Sequence, residues 1–193
     1  AVSGAQVLLA DLPVTSVAKL DRLQTLQRAE AARVQLPRMD AARGTATGLD
    51  LALVDHPLTG EGVVFGIVDS GLDWSHDDFI DDNGDTRLEL FTHAFSPSNS
   101  DTSQFLDFDA GAINQALAGT ANLPQGDPHG HGTHCASIAA GNGRASGGTF
   151  RGVAPEASIM AMRSEPLLDT HTIRGIREIF SRAGDRPAVV NLS

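Results

Sequence analysis

The chain holds a single cysteine, Cys135. That excludes an internal disulfide framework and a cysteine-rich zinc site. It holds a single lysine, Lys19, and carries a formal net charge of −10. That acidic balance argues against nucleic acid as a partner, which needs a basic footprint. No run of about 18 apolar residues occurs, so no segment is expected to span a membrane. The first residues, AVSGAQVLLADLP, lack a basic stretch followed by an apolar core, and so do not read as a signal peptide.

What is present suffices for one sizeable domain with a small appendage. Residues 5–36 read as a small strand–helix–strand unit, with Val17, Leu20, Leu23 and Leu26 on the inner side of the helix. A unit this short cannot bury enough surface to fold alone. The segment RGTATGLD, Arg43 to Asp50, reads as a linker. VVFGIVDSG, Val63 to Gly71, is a nearly unbroken apolar run, as expected of a strand buried on both faces. A long polar stretch follows, with turn signals at DDNGD and SPSNS. AGAINQALA, Ala110 to Ala118, is helical in composition, and THCASIAAG predicts a helix stopped at Gly141. ASIMAMR, Ala157 to Arg163, reads as a strand. Asp169 or Thr170 is expected to cap a helix with Ile173, Ile176, Ile179 and Phe180 on one face, ended by Gly184. AVVNLS, Ala188 to Ser193, starts a further buried strand. Strands alternating with helices predict an α/β fold around a parallel sheet.

The stretch GDPHGHGTHCASIAAG, Gly126 to Gly141, places His129, His131 and His134 within six residues. Two chemistries fit. The spacing is that of a zinc-hydrolase signature, in which neutral imidazoles hold the metal and the metal activates a water. Thr133 stands where that signature has its aspartate, and His171 is the only histidine further downstream. In the other, His131 is a general base. Asp69 ends an apolar strand, at the edge where parallel α/β sheets gather their ligands. An Asp–His pair is the base half of a Ser-His-Asp triad: the carboxylate fixes the tautomer and the imidazole takes the nucleophile's proton. Asp before His, with Ser later, is one of the chain orders the triad adopts. Taken alone, Asp69 reads equally well as the cap of a turn or helix.

Four segments together resemble the subtilisin-like serine proteases, the subtilases of peptidase family S8. GVVFGIVDSGLD resembles their Asp motif, and HGTHCASIAAG their His motif, HGTHxAG. RGVAPEASIMAMR is similar to their GVAP segment, and AVVNLS to the opening of their substrate-binding strand. The segments stand in the family's order over residues 60–193. The resemblance implies a parallel central sheet flanked by helices, Asp69 and His131 as catalytic residues, and Ser193 in substrate binding. It implies a polypeptide substrate, no required cofactor, and a secreted or cell-envelope location. Residues 1–42 would be a prodomain-like tail and linker, and residues 43–193 the N-terminal part of the catalytic domain. A cysteine at the place of Cys135, beneath the catalytic histidine, occurs in several members and implies sensitivity to mercurials.

The chain also departs from the family pattern. Ser137 stands where a glycine is usual, and Asp77 replaces proline in the element around His76, which reads as structural. Asp69 and His131 lie 62 residues apart, which implies a surface insertion. No Gly-Thr-Ser triplet occurs, so the sequence is expected to stop before the nucleophile, with the C-terminal remainder of the catalytic domain as its partner. The alternative is a non-catalytic pseudoprotease or peptide-binding fragment. Asp81, Asn83 and Asp85 alternate like calcium ligands, but Gly84 is misplaced for an EF-hand loop. A solvated turn is expected there, and a structural calcium ion is not indicated.

Overall fold

The structure is a computed structural model and describes residues 19–20, 47–95, 103–166 and 168–192. The strand–helix–strand reading of residues 5–36 and the position of Ser193 lie outside the described residues. The chain divides into two compact units, Ala1–Pro37 and Arg38–Ser193.

The second unit is α/β, as expected. Its described elements begin with helix α1 (Leu49–Asp55), followed by strands β1 (Val64–Asp69), β2 (Leu88–Phe95) and β3 (Gln104–Asp109). Helices α2 (Ala110–Leu117) and α3 (His131–Ala140) come next, then β4 (Ser158–Glu165), α4 (Asp169–Ala183) and β5 (Ala188–Leu192). The strand order is β3-β2-β4-β1-β5. β1 pairs in parallel with β4 and β5, β4 pairs in parallel with β2, and β3 closes one edge antiparallel to β2.

β1 is buried along its whole length. Alternate residues serve opposite faces, because side chains alternate along a strand. Phe65 and Ile67 join Phe91, Ile159 and Ala161 under Ala136 and Ala140 of α3. Val64 and Val68 join Leu90, Met160 and Met162 under Ile179 and Ala183 of α4. Helices therefore cover both faces, and β1 delivers Asp69 to the carboxyl edge between them. The Arg87 guanidinium donates to the carbonyls of Asp78, Ala140 and Ala157, which satisfies the end of α3.

Several local expectations are corrected. The supposed linker contains the start of α1, with Leu49 and Asp50 already helical. The polar stretch after β1 contains β2 and β3. The first residue of α4 is Asp169; the cap position is Leu168, with no side-chain cap bond. The buried stripe of α4 is His171, Gly175, Ile179 and Ala183, while Ile173 and Phe180 are exposed. The reason is close packing: a Cβ on Gly175 would press into Val68 and Met162, so the helix meets the sheet through its backbone there. β5 stands last in the strand order beside β1, with Val189 and Leu192 about half exposed.

Candidate active site

The two sequence-predicted residues meet. Asp69 is 3% exposed at the end of β1, and His131 is the first residue of α3. The Nδ1 of His131 lies 2.8 Å from Oδ1 of Asp69. Oδ1 of Asp69 also accepts from the Ser70 amide at 2.6 Å. The bond from Asp69, and then its charge, raise the His131 pKa above its ordinary value. The imidazole itself is exposed, with 55% of its side chain open to solvent. An open cavity of about 330 Å³ lies beside the pair, walled by Ser70, His129, Ser164, Glu165 and Pro166.

Close backbone packing makes this meeting possible. A Cβ on Gly132 would overlap the Gly71 carbonyl oxygen and press on the Asp69 side chain. Glycine at 132 lets the first turn of α3 lie directly on the loop that follows Asp69. Gly130 precedes the helix with φ 76°, and supplies no side-chain cap.

Sequence reasoning missed Asp127. Its Oδ2 accepts from the Thr133 amide at 2.8 Å and the Thr133 hydroxyl at 2.7 Å. Its Oδ1 accepts from the Ser70 hydroxyl at 2.8 Å and the His129 amide at 3.2 Å. Burial works to raise its pKa, but the bonds from Thr133, Ser70 and Gly130 outweigh that and hold it low. The one signal in the sequence was an acid shortly before a helix whose own cap position is glycine.

The other candidates separate. His129, His131 and His134 do not converge on a common point. Among the described residues, the one acid, histidine and cysteine cluster tight enough to hold a metal is Asp69, His131 and Cys135. The Cys135 sulfur sits 3.9 Å from Nε2 of His131. His76 caps a 3-10 turn by accepting from the Asp78 amide, and Ser137 donates to Oδ2 of Asp78. Asp81 accepts from the amides of Asn83 and Asp85, and Asp85 accepts from Asn114. These acids shape a turn rather than converging on an ion site.

A buried acid at the strand edge, clasping a histidine that opens a small-residue helix, is the arrangement that the motifs foreshadowed. The subtilase family's sequence profile matches residues 60–193. The chain belongs to the subtilase family. It is 32% identical over 129 residues to the subtilisin-like protease SBT2.2 of Arabidopsis thaliana, covering 54% of this chain and 15% of that protein. It is 27% identical over 181 residues to the PII-type proteinase of Lacticaseibacillus paracasei, covering 89% of this chain and 9% of that protein. The CspB protease of Clostridium perfringens superposes with a TM-score of 0.67 at 30% identity, over 80% of this chain and 33% of that one. This subtilase chain thus spans a small part of the relatives it matches. No described helix is long and apolar enough to cross a membrane.

Proposed function

We propose that this chain contributes the acid and the base of a serine endopeptidase of subtilisin type. The observation that carries the reading is the 2.8 Å contact between His131 Nδ1 and buried Asp69, at the mouth of an open cavity. Asp69 holds the imidazole with Nδ1 protonated, which leaves Nε2 as the acceptor. His131 takes the nucleophile's proton through Nε2, and the neighbouring Asp69 carboxylate stabilises the imidazolium. The same proton then passes to the leaving amine. Neither residue forms an acyl-enzyme, so the nucleophilic serine belongs to a segment outside this sequence, which contains no Gly-Thr-Ser. That the chain spans 9–15% of the curated relatives' length supports this placement.

Polypeptide substrate pairs backbone to backbone near strand β5, and Ser193, one residue beyond it, begins the binding wall. Residues 1–42 serve as the tail of a prodomain. No cofactor takes part. The location is secreted or cell-envelope, supported by a similarity to the minor extracellular protease Vpr of Bacillus subtilis. The test is a fluorophosphonate probe on the complete protein. One serine labelled in the wild type, with labelling lost in His131→Ala, supports the reading. Equal labelling and peptide hydrolysis in His131→Ala overturn it.

A further inference from the structure

The Asp127 carboxylate takes no part in the proposed proton transfers, yet the two halves of the site meet on it. It is 9% exposed and accepts from Ser70, His129, Gly130 and twice from Thr133. Two of those donors pass the connection on. The Ser70 hydroxyl donates to Asp127 and accepts from the Gly132 amide at 3.1 Å. The Thr133 hydroxyl donates to Asp127 and accepts from the Asp73 amide at 2.9 Å. Ser70 and Asp73 belong to the loop that follows Asp69, and Gly132 and Thr133 directly follow His131. The backbone beside Asp69 is thereby tied to the backbone beside His131 through two separate hydroxyls. Each hydroxyl has one donor and one acceptor role, so the network has a single arrangement of protons.

A helix cap alone requires only the bond to the Thr133 amide. The bonds to Ser70 and, through Thr133, to Asp73 do something further: they fix α3 against the strand that carries the acid. We propose that Asp127 is the positioning residue of the Asp69–His131 pair, setting the distance and angle at which the imidazole faces the nucleophile. This rests on His131 being the general base. The Asp127 charge also reaches His131 through space, in the same direction as Asp69.

The test uses the complete protein and compares Asp127→Asn with Ser70→Ala and Asp109→Ala. Asn at 127 keeps the shape and one acceptor oxygen but loses the charge and half of the accepting capacity. The expected result is a kcat reduced about ten- to hundred-fold with KM within about twofold, as misplacement of a catalytic group produces. The acidic limb of the kcat profile moves to lower pH. Asp109→Ala removes an ordinary side-chain cap, the bond to the Ala112 amide of α2. It should lower Tm and leave kcat and the pH limb alone. If Asp127→Asn behaves like Asp109→Ala, Asp127 is a helix cap and the proposal fails. If Asp127→Asn does not fold, Ser70→Ala decides, because it spares the cap at Thr133 and cuts the Ser70 link, one of the two to the loop after β1. A several-fold loss of kcat at nearly constant Tm supports positioning, and an unchanged kcat overturns it. An active His131→Ala enzyme would instead overturn the catalytic reading itself, a result separable from any of these.

Discussion

Two histidines open helices on opposite faces of the same sheet, and their surroundings pull them in opposite directions. His131 begins α3, is largely exposed, and has a buried carboxylate as its partner. His171 lies in the first turn of α4 and is wholly buried between hydroxyls, with Nδ1 2.9 Å from Ser164 and Nε2 2.7 Å from Ser103. The Phe105 ring meets it edge-on at 5.3 Å, and Arg174 lies over that ring. Desolvation lowers the pKa of His171, and the Asp69 bond raises that of His131. Burial by itself does not make a histidine reactive: neutral partners hold one as a strut, and in the proposed function a charged partner with an open face readies the other for proton transfer.

The largest expected effect separates the two. His131→Ala in the complete protein should cut kcat on the order of 10⁶-fold, as loss of the base does in subtilisin. His171→Ala should leave kcat within about tenfold and instead cost roughly 2–4 kcal/mol of stability, by opening a void and removing a partner from the buried Ser164 hydroxyl and the half-buried Ser103 hydroxyl. Steady-state kinetics beside denaturant unfolding of both variants decide this. An inactive but fully stable His171→Ala would break the comparison.

Loss of the charged partner should cost less than loss of the base. Asp69→Asn is expected to lower kcat about 10⁴-fold, the cost of the wrong tautomer. Its remaining activity should show an acidic limb at lower pH, because the influence that raised the His131 pKa is gone. A limb that stays in place would show that Asp69 does not tune the base.

A third prediction uses stability against pH. A histidine whose folded pKa is raised contributes stability below its unfolded value near 6.5 and loses it as pH rises through the folded value. His171 is the reverse: the folded state gains above about 6.5, and that gain is lost as pH falls toward the depressed folded value. Unfolding free energy between about pH 5 and 8 should therefore rise more steeply with pH in His131→Ala than in the wild type. In His171→Ala the acid-side loss should be smaller. Parallel curves for all three proteins would refute opposite shifts.

The sequence made the centre of the molecule legible and its margins opaque. β1 and β4 were readable because buried parallel strands are continuous apolar runs, and α3 because small residues end at a glycine. Asp69 and His131 stood out because they stand where β1 ends and α3 begins. β2 and β3 were lost in a polar stretch: QFLDFD exposes four of its six residues on the sheet's edge, so no apolar run announces it. The inner face of α4 was misread because Gly175 and His171 carry the contact, and neither registers as apolar. Asp127 was missed for another reason. Its key partner, Ser70, is 57 residues away, and no local pattern shows a hydroxyl arriving from the loop after another strand.

The smallest expected effect tests whether everything near His131 matters or only what is bonded to it. The Cys135 sulfur faces Nε2 at 3.9 Å, long for any hydrogen bond and weak even for sulfur. A contact of that kind is worth about 0.5 kcal/mol, which corresponds to roughly a twofold change in rate. Cys135→Ala should therefore leave kcat within about twofold and the acidic limb unmoved, in contrast to Asp69→Asn. The same substitution should abolish inhibition by an organomercurial, because in the wild type the mercurial's bulk, fixed on that sulfur, occupies the space in front of Nε2. A large loss of kcat in untreated Cys135→Ala would mean that the thiol, and not Asp69 alone, sets the state of the imidazole. Unchanged inhibition of Cys135→Ala would place the mercurial on a group other than Cys135.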